Sequence, residues 1–544
     1  MYKKAFPTRV AALLPAVLLI LGPFTAALAA PPPEKAARPA RPAALQAAGQ
    51  KPDTTKPETH ITPEQAQQLF ALVDQLLKFS SEETGLPIKG TVKRQLTTRK
   101  DVESYLTEKF NEDEDAKRMQ RSEIVLKKFG LLERDFDLKP FLLSLLGEQI
   151  EAYYDPKTKT VNMLDWVSVD EQKPVLAHEL THALQDQRVG LETWSDQTPP
   201  DVSVNASDDS VHLAKDEYDT AREAVTEGQA TAVMVDNMLK PMGHSILKDP
   251  EVVEALKQQM ASAGDSPILA RAPRLLSESL MFPYREGLSF EQDVWMDQGQ
   301  VPAFAGALDR PPTSSWEILN PREYEKGHRP PVPLLPNIHP LVDKLYKPYD
   351  IGQVGQLDVH ILTGIFGGDA AARDLTPAWD GGIYWAGQRR DATPAQQATT
   401  GSIALFYLSA WKSAASAHAF ATLYAQELGR KYSGLKPDTA AQRSAPSVDD
   451  EQVYTTTEGP VVITTRGKLV FVTESFDLSL ARKLAAMILD AQGTGEVKFA
   501  RADTPAAMQD AALARRPLTG SLVDFLSNCG VMKSAVDAAY RATH

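Results

Sequence analysis

The sequence predicts an α+β fold class with two folded regions, and three observations carry that reading. Apolar residues recur at helical spacing, as in Leu69, Leu72, Val73, Leu76 and Leu77. Between the helical stretches, Ile150 to Leu164 reads as a β-hairpin, with Asp155-Pro156 starting the turn and Val161 and Met163 alternating on the returning strand. A proline-rich zone from Arg329 to Pro340 then sets off a second region that mixes strand and helix patterns. At 544 residues the chain is also too long for one hydrophobic core.

Taken in order, residues 1–29 read as a signal peptide. Lys3, Lys4 and Arg9 precede a nearly unbroken apolar run from Val10 to Leu21, and Ala27-Leu28-Ala29 has the small-x-small pattern of a cleavage site. The run falls short of the roughly 20 residues that cross a bilayer. No stable membrane span is expected after cleavage, and the protein is expected to be periplasmic or secreted. Residues 30–60, rich in Pro, Ala and Lys without apolar period, read as a flexible linker.

Thr62-Pro63-Glu64 marks a helix start. Lys89 to Thr98 alternates like a strand, and Arg99 to Leu132 reads as helical. A helix with Pro174 in its first turns follows the hairpin. Ser195 to Asp209, with Pro199-Pro200, reads as a loop, and helical pattern resumes from Ala214 to Leu239. These elements belong to a first domain over residues 61–345. Residues 350–544 form a C-terminal α+β region, with a helical stretch at Ser402–Leu428, strands at Val461–Thr465 and Lys468–Thr473, and a helix from Ser479. No second cluster of ligand-type residues occurs there.

Composition narrows the function classes. A chain that is 43 % apolar and 24 % charged folds and is soluble. A net charge of −13 argues against nucleic acid as the partner, because phosphate binding needs a basic surface. Cys529 is the only cysteine, so no intrachain disulfide forms, and a small core residue suits it better than a nucleophile.

The chemistry concentrates at His178-Glu179-Leu180-Thr181-His182. Two histidines four apart on a helix share a face and can offer ring nitrogens to one Zn²⁺. Glu179, beside the first ligand, is placed to act as general base on a water at that ion. Asp186 continues the same face, either orienting a ligand histidine or standing in solvent. A third ligand is expected from a later helix, where Glu223 and Glu227 lie four apart. Glu227 is the favoured ligand and Glu223 its supporting neighbour, with Gly228 and Ala230 small enough for close approach to the metal helix. Tyr284 is the first candidate for an oxyanion donor, against a structural aromatic near a turn, and His212 and His244 are weaker candidates.

At these residues the chain resembles known metallopeptidases. Ala177-His-Glu-Leu-Thr-His-Ala183 is similar to the metal helix of thermolysin-type gluzincins. The longer pattern resembles a group of little-characterised secreted bacterial metallopeptidases: Ala177 to Gln187, Glu227 to Thr231, Phe282 to Gly287, Pro311 to Ser315 and Ile318 to Tyr324. The resemblance covers residues 60–345 and implies a zincin-like domain. It also implies His178, His182 and Glu227 as zinc ligands, Glu179 as base, and a protein or peptide substrate. A catalytically silent zincin-fold binding module of the cell envelope, and a zinc hydrolase acting on a non-peptide amide, are the other readings.

Overall fold

Thr62 caps the first helix through a reciprocal pair of bonds. Its hydroxyl accepts from the Gln65 N–H, and the Gln65 amide oxygen accepts from the Thr62 N–H, which satisfies two orphan donors at once. The computed structural model describes residues 60–543 apart from 113, 195–207, 262–265, 445–449 and 493–532. The signal peptide, nearly all of the linker, Cys529 and the side chain of His212 lie outside the described residues.

The fold is mixed α+β. Helix α1 (Pro63–Thr84) leads to strand β1 (Lys93–Thr97), then α2 (Arg99–Glu112), α3 (Glu114–Phe129) and α4 (Leu138–Gln149). The hairpin follows as β2 (Ala152–Asp155) and β3 (Thr160–Leu164), then α5 (Val169–Val189), the short α6 (Leu191–Trp194), α7 (Asp208–Leu239), α8 (Pro250–Met260) and α9 (Arg274–Gln298). The first sheet has order β1-β3-β2, with β1 parallel and β2 antiparallel to β3, so β2 is an edge strand. Ser168 and Glu171 form a capping box at the start of α5, and Gly190 ends it in the left-handed conformation at φ 70°.

Beyond residue 345, β4 (Tyr346–Gln353), β5 (Trp379–Arg389), β6 (Ile403–Trp411), β7 (Lys436–Pro437), β8 (Asp450–Thr456), β9 (Gly459–Arg466) and β10 (Leu469–Glu474) form an antiparallel sheet of order β4-β5-β6-β10-β9-β8-β7. The segment expected to be helical from Ser402 to Leu428 is strand to Trp411 and helix from Ala414 to Lys431. The reason lies in its continuous apolar run. Leu405 and Tyr407 face the main core, while Ala404, Phe406 and Leu408 face a second cluster with Phe471 and Ile488. A strand covered on both faces loses the polar alternation that would have announced it.

No break in packing coincides with the change of architecture near residue 345. The described residues form one compact unit, and one core cluster holds residues of both regions. Glu217 of α7 accepts from the Ser315 N–H at 2.9 Å and from its hydroxyl. Its carboxylate also fills the space where a Gly355 Cβ would stand. Ser534, on a helix over Lys533–Thr543, donates its N–H and hydroxyl to Gln149 Oε1 at 3.1 and 2.6 Å, directly before the edge hairpin.

The tightest approach joins α7 and α9. A Cβ on Gly228 would lie 2.2 Å from the Gly287 carbonyl carbon, and one on Gly287 would lie 2.0 Å from the Ala224 oxygen. Gly228 thus serves the crossing with α9, and not an approach to the metal helix. Gly287→Ala should lower stability by about 3 kcal/mol or more, because backbone rather than a flexible side chain must give way. Gly147→Ala, inside α4 with nothing within 4 Å, should stabilise by about 0.5–1 kcal/mol instead. Denaturant unfolding of both variants checks the contrast; equal effects would mean that the α7–α9 crossing is looser than described.

Candidate metal centre

Three ligand-type side chains converge between α5 and α7. His178 Nε2 lies 3.0 Å from Glu227 Oε2, and His182 Nε2 lies 3.5 Å from Glu227 Oε1. One donor atom from each falls within 4.8 Å of the others, and among the described residues this group can hold a metal ion. Ligands arranged tetrahedrally at about 2.0–2.1 Å from an ion stand roughly 3.3 Å apart, close to the 3.0 and 3.5 Å between each histidine and Glu227. Burial sets its direction of access: His178 is fully buried, whereas the His182 side chain is 12 % exposed.

The charges at the cluster support one another. Burial pushes His182 down, but the Glu227 charge, their hydrogen bond and the Glu179 charge outweigh it and bring it up to about 9. Burial likewise pushes Glu227 up, and the two histidines override it and hold the carboxyl at about 2. Without a metal, then, Glu227 is a carboxylate facing a protonated His182. The His182 contribution to stability is fully present below about pH 6.5 and lost as pH rises through about 9. That of Glu227 is present above about pH 4.5 and lost as pH falls through about 2.

Around this cluster, the other described candidates each have a definite place. Glu179 is wholly buried beside both histidines, and its charge acts on His182 and on Tyr284. Tyr284 stands inside α9, which continues through Pro283, and not near a turn. Its ring stacks on His178 with centroids 6.1 Å apart, and its hydroxyl bonds to Glu227. Burial and the charges of Glu227, Glu179 and Glu223 hold that hydroxyl well above the usual phenol range, so it is the donor. Glu223 is half-buried and acts on Tyr284 without joining the ligand group. His244 is exposed in the turn after α7.

Asp186 takes neither of its expected roles. Its side chain is buried, accepts from Tyr154 Oη at 2.8 Å and Lys159 Nζ at 2.7 Å, and so pins the hairpin to α5. The partner of His182 is Gln185, whose Oε1 lies 2.8 Å from Nδ1. Gln185 Nε2 donates to the Thr226 carbonyl and to Gln229 Oε1, both at 3.0 Å. The sequence held a signal for Gln185, since it lies three residues after His182 on the same helical face. It held none for Gln229 or for Glu291 behind it, a wholly buried carboxyl that desolvation lifts to about 8.

Metal binding at neutral pH must displace the proton from His182, so affinity should rise about tenfold per pH unit up to about pH 9. Competition with a chromophoric chelator at several pH values reads this directly, and a flat profile would show that no proton is displaced. By the same assay Glu227→Gln should nearly abolish binding, while Glu223→Gln should weaken it about 10- to 100-fold at most. The reverse ranking would put the third ligand one helical turn away.

No protein-family model matches the chain, and neither the curated proteins nor the solved structures contain a match to it.

Proposed function

We propose that the protein is a zinc-dependent peptidase, exported as its first 29 residues suggest, in which residues 61–345 form a zincin-like domain. The observation that carries the reading is the buried Glu179 carboxylate beside the His178–His182–Glu227 group. A site retained only to stabilise the fold has no use for that group. Two imidazoles and one carboxylate are the ligand set of catalytic zinc in hydrolases, and zinc there supplies Lewis acidity that makes water a nucleophile near neutral pH.

The chain's own residues then have separate tasks. His178, His182 and Glu227 bind the ion. Glu179 takes a proton from the attacking water on a carboxylate oxygen and passes it to the departing amide nitrogen. The Tyr284 hydroxyl stands on Glu227 and keeps that carboxylate in place; donation to a substrate oxyanion would require it to leave this bond. Leu176, Ala177 and Leu180 are buried and hold α5 in the core. Strand β2 is at the edge of the first sheet and packed on α5, and an extended peptide substrate would add there as a further strand.

Glu179→Gln should therefore remain folded and zinc-loaded while losing about 10²- to 10⁴-fold in peptide cleavage. Casein or a broad peptide library, with metal analysis of the same samples, supplies the test, and chelation should silence the unmutated protein. Cleavage by Glu179→Gln at the unmutated rate would place the hydrolysis elsewhere. A zinc-loaded unmutated protein that cleaves nothing in the library would favour the silent binding module.

A further inference from the structure

Neither histidine of the metal group is backed by a carboxylate. His178 Nδ1 is buried without a hydrogen-bond partner among the described residues, and His182 Nδ1 meets the neutral Gln185 amide. Asp186, the adjacent carboxylate, is engaged by the hairpin. The position of the His182 proton thus depends on which way an amide points, and the structure fixes that from a distance.

The constraint starts at the π-helical turn Pro302–Gly306. The carbonyls of Ala303 and Phe304 can only accept, so Gln229 must direct Nε2 at them, at 3.1 and 3.0 Å. That turns Gln229 Oε1 towards Gln185. Gln229 Oε1 and the Thr226 carbonyl can in their turn only accept, so Gln185 must direct Nε2 at both. Its Oε1 is left facing His182, where an acceptor admits only a protonated Nδ1. The lone pair of neutral His182 is then on Nε2, the nitrogen that faces Glu227.

We propose that Gln185 and Gln229 are positioning residues: a two-amide relay, anchored on the carbonyls of the 302–306 turn, that sets the tautomer and ring orientation of His182 for metal binding. The proposal rests on the metal reading given above. Partners of this kind behind a ligand imidazole are worth about 10- to 100-fold in metal affinity. The relay also carries a built-in direction. Loss of the Gln185 amide removes the acceptor, and His182 can then protonate on Nε2 and withdraw the ligand atom; loss of Gln229 leaves Gln185 held by the Thr226 carbonyl alone.

The test uses the full chain with zinc and three variants. Gln185→Met keeps the side-chain length and removes the acceptor, and should lose about 10- to 100-fold in zinc affinity. Gln185→Glu keeps an acceptor on His182 while losing the same Nε2 donors, and should stay within a few-fold of the unmutated protein. Gln229→Met should fall between them. If Gln185 merely supported the fold, both Gln185 variants would lose affinity alike, and that outcome overturns the proposal. A second measurement needs no variant: ¹⁵N chemical shifts of histidine-labelled, metal-free protein, at a pH where His182 is neutral, should show its remaining proton on Nδ1. A proton on Nε2 overturns the relay while leaving the metal site standing. Unmutated protein that takes up no zinc overturns both.

Discussion

A single carboxylate shared by two imidazoles organises the first half of this molecule. Glu227 is buried, and burial alone would favour its neutral form. It stays ionised because His178 and His182 face it from α5, and His182 is held protonated in the metal-free state for the same reason. Such an arrangement survives only where surrounding elements leave the three groups no alternative, since an uncompensated buried charge costs several kcal/mol. A divalent ion satisfies the same geometry with the charges reassigned. The three groups are therefore gathered by the protein's own charges.

Most of the packing around the site follows from holding α5 and α7 at that separation. The Gly228–Gly287 crossing draws α9 against α7, which puts Tyr284 onto Glu227 and its ring against His178. Ser80 of α1 donates to the Ala177 carbonyl at 3.1 Å, immediately before the first histidine. Asp186 binds the hairpin to the other end of the motif. The second region contributes from further off, through the Glu217–Ser315–Gly355 contact on α7 and the helix over Lys533–Thr543. Two regions distinct in architecture share one core, so folding of α5 and α7 and of the later sheet is expected to be cooperative.

How much of this was legible in the sequence depended on whether the signal was local. His178, Glu179 and His182 declare themselves because helical geometry ties their spacing to their facing. Glu227 was favoured over Glu223, and the ligand group contains Glu227. The hairpin was marked by its turn residues and alternation, and the strands expected at Val461–Thr465 and Lys468–Thr473 fall at β9 and β10. What escaped depends on partners far along the chain. Strand β6 lost its alternation because both faces are covered. Helix α9 passes through Pro283, which in sequence argues for a break. Asp186 was read from its helical face alone, yet its partners come from the hairpin. Gln229 acquires meaning only through carbonyls at 303 and 304.

The most direct test of the central claim is crystallographic, with data collected on either side of the zinc absorption edge from protein purified with zinc. One anomalous peak per chain is expected, about 2.0–2.2 Å from His178 Nε2, His182 Nε2 and a Glu227 oxygen, with a fourth position on the exposed His182 side. A peak bound elsewhere, or the three side chains in contact with no ion at full zinc loading, would contradict it.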